Sequence, residues 1–142
     1  MKKRLLISAC LLGVPCRYDG KSKPSEAALA LGESYELVPF CPECYGGLPT
    51  PRPPAEIRGD RVVTEAGKDV TEEYMRGAES ALALCKALKI EDACLKSRSP
   101  SCGNREIYDG TFSGTRVSGQ GMAVRLLQKN GIRVFSEEDL ES

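Results

Sequence analysis

Arg4-Leu5-Leu6-Ile7-Ser8-Ala9-Cys10-Leu11-Leu12-Gly13, residues 4–13, decides the architecture. Its first half is a short apolar run with the length of a buried strand, Arg4 to Ser8, and a cysteine stands two residues beyond it. The arrangement recurs downstream. Tyr35 to Pro39 reads as a second strand with Cys41 two residues past its end, and Asp92 to Lys96 as a third. Cys102 lies six residues past that third strand, in Ser97-Arg98-Ser99-Pro100-Ser101-Cys102-Gly103. Ile132 to Phe135 supplies a fourth strand.

Helical patterns separate these runs. Ser25 to Leu31 is alanine-rich and closed by Gly32. Asp69 to Leu88 carries Val70, Tyr74, Met75, Ala78, Ala81, Leu82, Cys85 and Leu88 on one face, behind a capping-box-like Asp69 and Glu72. Gln120 to Lys129 ends at Asn130-Gly131, and Ser136-Glu137-Glu138-Asp139 starts a frayed terminal helix. Ala55 to Thr64 reads as a small hairpin turning at Gly59-Asp60. Strands separated by helices predict a single α/β domain with a mostly parallel sheet. Ligands of such sheets bind beyond the carboxyl ends of the strands, so three thiols distant in sequence are expected in one crevice.

Composition narrows the chemistry. A chain of 142 residues, 41% of them apolar, fits one domain with one core. Its 20 basic and 20 acidic residues cancel, which gives no electrostatic case for long nucleic acid or an anionic membrane. A small-molecule partner is expected; the oligomeric state is not readable. No stretch approaches the roughly 20 apolar residues of a membrane span. Met1-Lys2-Lys3-Arg4 and the run behind it look superficially like a signal peptide. The run is too short and Arg17, Asp19, Lys21 and Lys23 follow it, so a cytoplasmic location is expected. The seven cysteines are an odd number and there is no histidine. That excludes Cys-His dyads, Ser-His-Asp triads and histidine-bearing zinc sites.

Three thiolates suit a soft metal centre. A cubane cluster normally takes four cysteines, so on three it keeps one iron open as a Lewis acid for a substrate heteroatom such as sulfur. Cys85, on an apolar helix face, and Cys94, inside a strand, read as core. Cys16 and Cys44 are open cases. Cys16 precedes Arg17-Tyr18-Asp19-Gly20 near Cys10, and Cys44 completes Cys41-x-x-Cys44, a spacing that zinc and redox sites also use. Two alternatives follow: a structural four-cysteine zinc module on Cys10, Cys41, Cys44 and Cys102, or a thiol redox protein using Cys41 and Cys44.

Glu43 stands two residues from Cys41 behind the rigidifying Pro42, where a carboxylate can move protons. Ser99 and Ser101 flank Cys102 and can bind substrate or stabilise developing negative charge. In Gly46-Gly47-Leu48-Pro49-Thr50-Pro51-Arg52 the glycines Gly46 and Gly47 permit close approach of backbone to a ligand. Arg52 suits a phosphate or ring carbonyl, and Phe112 either stacks a base or fills the core. Arg17 and Asp19 read as an ion pair, and the charged chain ends as solvated surface.

Five ordered segments carry a family resemblance. They are Ser8-Ala9-Cys10-Leu11-Leu12-Gly13; Arg17-Tyr18-Asp19-Gly20; Cys41-Pro42-Glu43 with Gly46-Gly47-Leu48-Pro49-Thr50-Pro51-Arg52; Ser99-Pro100-Ser101-Cys102-Gly103; and Ile107-Tyr108-Asp109-Gly110-Thr111-Phe112-Ser113-Gly114. Together they resemble the thiouracil desulfurase (TudS-like) family from about Arg4 to Phe135. The resemblance implies a Rossmann-like, three-layer α/β fold. It also implies a 4Fe–4S cluster with three cysteine ligands and one open iron, and non-redox removal of sulfur from thiouracil or a thiouridine nucleotide. Carried over, the ligands are Cys10, Cys41 and Cys102, the acid/base is Glu43, and the catalytic serine is Ser101 in preference to Ser99. Cys44 departs from the family pattern, and a fourth thiol there would close the open iron.

Overall fold

Leu5, Leu6 and Ile7 have no exposed surface, and the strand they form, β1 (Lys3–Ser8), is the middle of the molecule. The computed structural model describes residues 2–140. Met1, at the head of the charged N-terminal segment, lies outside the described residues, as do Glu141 and Ser142. After β1 come a 3-10 turn (Ala9–Leu12), α1 (Glu26–Ala30), β2 (Tyr35–Phe40), α2 (Pro42–Tyr45), β3 (Ala55–Arg58), β4 (Arg61–Thr64) and α3 (Thr71–Leu88). The chain continues through β5 (Asp92–Leu95), β6 (Glu106–Tyr108), β7 (Arg116–Ser118), α4 (Met122–Lys129), β8 (Arg133–Ser136) and a 3-10 turn (Glu137–Leu140).

The four strands expected from the sequence form one sheet in the order β2-β1-β5-β8, every neighbour parallel. Side chains alternate across it, as the period of a strand requires. Leu6, Ala93 and Leu95 pack with Ala81, Cys85, Val124 and Leu127 of α3 and α4. Leu5, Ile7 and Cys94 face the other way, toward Ala28 of α1 and Leu140. The result is the expected three-layer α/β domain, and Cys85 and Cys94 are core residues.

Two antiparallel hairpins lie outside the main sheet. β3 pairs with β4 as the Ala55–Thr64 pattern predicts, while the β6–β7 hairpin occupies a stretch to which the sequence assigned no element. The start of α3 also differs from expectation. The helix begins at Thr71 with Val70 at the N-cap position; Asp69, one residue earlier, accepts the Thr71 amide at 2.9 Å and pairs with Arg61, and among the described residues no reciprocal bond from Glu72 forms. Among the described residues, no helix is long and apolar enough to cross a membrane.

α2, a single turn, is missing from the sequence reading, and it matters most for the site. Cys41 is extended (φ −129°), and Pro42 follows at the first helical position, where its fixed φ suits a helix start. α2 then packs backbone to backbone on α3. A Cβ at Gly46 would stand 1.9 Å from the Glu73 carbonyl oxygen, and one at Gly77 would stand 1.9 Å from that of Pro42. Only glycine allows that approach, and it fixes Glu43 over the sheet edge.

Candidate active site

The strand order places the site. β1 lies between β2 and β5, and its chain leaves toward β2 before the fold returns to β5 on the other side, which makes a switch point. Ser8 is in register with Phe40, and Ile7 with Cys94, so the three carboxyl ends are level. Cys10, Cys41 and Cys102 follow those ends, and all three line one cavity of about 450 Å³. Ser8, Cys16, Glu43, Arg52, Tyr74, Ser99, Ser101 and Phe112 share its walls.

Glu43 is the best-held group there. It is 8% exposed. Its Oε1 accepts hydrogen bonds from Arg52 Nε and Tyr74 Oη, both at 3.0 Å. Its Oε2 accepts from Ser101 Oγ at 2.9 Å and Ser99 Oγ at 3.2 Å. The two serines have different surroundings. Ser99 Oγ also accepts the amides of Ser101 and Cys102, at 3.1 and 3.2 Å, and so shapes the turn. Ser101 Oγ lies 3.6 Å from Cys102 Sγ and bridges the carboxylate to the thiol. Burial and the adjoining Glu43 carboxylate push the Tyr74 phenol above its ordinary range, so it stays a donor.

Arg52 is committed to the protein. Nε binds Glu43, Nη1 donates to the Pro49 carbonyl (3.1 Å) and Thr50 Oγ1 (3.0 Å), and Nη2 donates to the Cys16 carbonyl (3.0 Å). Arg52 thus holds Glu43 through Nε while it also lines the cavity, the position from which the sequence expected it to meet a phosphate or ring carbonyl. Gly46 and Gly47 are not in the cavity wall: Gly46 serves the α2–α3 contact, and Gly47 (φ +96°) makes the turn after α2. Phe112 is in the wall, held at φ +57° because Glu56 Oε1 accepts the amides of Gly110 and Phe112 at 2.9 and 3.2 Å. Arg58 stands over its ring, 5.9 Å from the centroid. Arg17 reaches Asp19 at 3.9 Å and also lines the cavity, with Lys23, Lys96 and Arg98.

The thiols present the opposite picture. All seven cysteines are free. Burial pushes Cys102 up to about 12. Contact with the Cys10 thiol is the first cause that raises Cys16 to about 11. Cys41 is raised by the Cys16 thiol and then by burial, and Cys44 by burial. Reactive redox cysteines have a lowered pKa, and both of these thiols are shifted the other way. Cys44 is not in the cavity wall, but its Sγ shares the Cys16 carbonyl with Cys41 Sγ, at 3.8 and 3.9 Å, and lies 3.6 Å from Thr50 Oγ1. Cys16, by contrast, faces inward.

Among the described residues, no three Cys, Asp or Glu side chains close on a point where a single metal ion would sit. Cys10, Cys41 and Cys102 line a cavity instead. A thiol ionises when a cationic centre takes it as a ligand. Soft donors from three loops around a space larger than one ion fit an iron–sulfur cluster better than a tetrahedral zinc.

Sequence reasoning missed Tyr74, Glu56 and the cavity-facing Ser8. Tyr74 carried a signal, because a tyrosine in an apolar helix stripe needs a partner for its hydroxyl once buried.

The comparisons with known proteins agree with this geometry. The chain is 44% identical over 146 residues to the uncharacterized protein YbbK of Bacillus subtilis (strain 168), covering 96% of this chain and 97% of that protein. A solved structure, the [4Fe-4S]-dependent thiouracil desulfidase TudS, superposes with a TM-score of 0.93 at 54% identity, covering 99% of this chain and 94% of that one. The family model for 2-thiouracil desulfurase matches residues 5–139, a span that holds every cavity cysteine and the carboxylate between them, and the chain belongs to that family.

Proposed function

We propose that this protein is a thiopyrimidine desulfurase. It exchanges the sulfur of thiouracil, or of a thiouridine nucleotide, for a water oxygen, with Cys10, Cys41 and Cys102 holding a 4Fe–4S cluster. When bound, such a cluster supplies an open iron that takes a thiocarbonyl sulfur and draws electron density from the ring carbon. The balance is non-redox: a carbon–sulfur bond breaks, a carbon–oxygen bond forms, one water is consumed and the sulfur leaves as hydrogen sulfide.

The observation that carries the reading is the bond of 2.9 Å between Ser101 Oγ and Glu43 Oε2. Glu43 is two residues from Cys41, and Ser101 is adjacent to Cys102, so that bond ties a proton-moving pair to two of the three thiols. Glu43 accepts a proton from the attacking water and returns one to the departing sulfur or the ring nitrogen. Ser101 passes protons along the same edge and donates to the oxygen that gains charge. Arg52 and Tyr74 keep the carboxylate aimed while it works. Phe112 offers a ring face on which the flat pyrimidine stacks. Seven free cysteines and a net charge of zero support a reducing cytoplasmic setting and a small substrate in preference to long nucleic acid.

The test is anaerobic reconstitution followed by incubation with 2-thiouracil, 4-thiouracil and 4-thiouridine monophosphate without any reductant. Equal amounts of sulfide and desulfurated pyrimidine from at least one substrate are expected. No turnover, or turnover only with added reductant, would refute the reading.

A further inference from the structure

The loop that carries Ser99, Ser101 and Cys102 has no regular structure and passes through a left-handed Arg98 (φ +66°). It is nevertheless held at one end. The three consecutive acids after β8 each reach into it. Glu137 accepts from the Ser97 amide and the Ser97 hydroxyl, both at 2.9 Å, and pairs with Lys96 Nζ at 3.0 Å. Glu138 pairs with Arg98 at 2.5 Å. Asp139 accepts from Asn104 Nδ2 at 3.1 Å and meets Arg105 as an ion pair without hydrogen-bond alignment. The acids themselves are set by Ser136, whose amide donates to Asp139 and whose hydroxyl accepts from the Glu138 amide.

The three contacts are not equal. The Glu138 and Arg105 pairs are exposed on at least one partner, and pairs of that kind contribute little. Glu137 is 8% exposed and Ser97 6%. Burial opposes the charge on Glu137, yet Lys96 and Ser97 hold its carboxyl below the usual range. On the opposite side, the Lys96 amide donates to Ser8 Oγ at 2.8 Å, two residues before Cys10. One buried carboxylate thus ties the Cys102 loop to the end of β8, and the same segment ties that loop to the end of β1.

We propose that Glu137 is a positioning residue for the active site: by clamping Ser97 and Lys96 it sets the placement of Ser101 and Cys102 against Glu43 and Cys10. Its effect on turnover rests on the desulfurase reading above; its effect on the loop does not.

The experiment compares Glu137→Gln with Asp92→Asn in the anaerobically reconstituted full chain. Asp92 is an equally buried carboxylate at the amino end of β5 and so away from the site, 2.7 Å from an Arg133 that is itself exposed. Amide hydrogen exchange across residues 97–102, iron loss to a chelator, and kcat separately from KM are measured, with melting temperature as the reference. Glu137→Gln should speed exchange and iron loss and lower kcat by about tenfold each, the size set by one lost charge-assisted hydrogen bond, with KM nearly unchanged. Asp92→Asn should lower the melting temperature and leave the other readings at wild type. Should Glu137→Gln fail to fold, Ser97→Ala removes one of the clamp's donors and is expected to move the same readings in the same direction. Wild-type exchange and iron retention in the clamp variant would overturn the proposal, as would losses that Asp92→Asn reproduces. If the wild type desulfurates nothing, the functional reading fails, while exchange and iron loss still decide the clamp.

Discussion

The carboxylate side and the thiol side of the cavity are finished to different degrees. Around Glu43, four side-chain donors from three separate parts of the chain satisfy both carboxylate oxygens. Around the thiols, burial raises Cys102, and the Cys16 thiol and then burial raise Cys41. The polar side is complete from protein alone, as preorganised catalytic groups are. The thiol side is a set of soft donors, whose ionisation a cationic centre promotes. The difference teaches which side supplies the proton chemistry and which supplies the cofactor.

The largest effect short of removing a ligand is expected from Glu43→Gln. It strips the proton carrier from the complete side and leaves Arg52 buried beside a neutral partner. Desulfuration should fall by a factor of about 10² to 10⁴, and stability by about 3 kcal/mol, the lower end for a broken buried pair. Iron content should stay at the wild-type level. A Glu43→Gln protein that turns over normally, or that cannot hold iron, would erase the distinction between the two sides.

Tyr74→Phe is a gentler cut. It removes one donor from Oε1 and leaves Arg52 and both serines in place. A loss of about tenfold in kcat is expected, in line with one hydrogen bond to a charged group. Melting should shift by only a few degrees, because the aromatic packing is kept. An effect as large as that of Glu43→Gln would mean that Tyr74 handles protons itself and is more than a support.

How much of this was legible in the sequence follows from physical range. The parallel sheet was readable because each strand is a local apolar run and each cavity cysteine falls a few residues past one. Glu43 was readable because its chain distance to Cys41 is two residues. Tyr74 was not, since α3 is a whole stripe of core residues and nothing local says which one donates to Glu43, 31 positions away. The α2–α3 contact was hidden for a related reason: Gly46 and Gly77 look like freedom in sequence and act as close packing in space. Cys44 and Cys16 were open cases in the sequence; in space Cys44 Sγ shares the Cys16 carbonyl with Cys41 Sγ and also meets Thr50, while Cys16 lines the cavity. The charged tail looked solvated and frayed, but Glu137 returns to Ser97 across 40 positions and is buried there.

The central claim is that Cys10, Cys41 and Cys102, without Cys44, hold the cluster, and metal content tests it most directly. Iron and acid-labile sulfide are to be counted per chain in anaerobically reconstituted wild type, Cys44→Ala and Cys41→Ala. About four of each are expected in the wild type and in Cys44→Ala, the complement of one cubane, and close to none in Cys41→Ala. Loss of iron from Cys44→Ala as full as that from Cys41→Ala, or a full complement in Cys41→Ala, would contradict it.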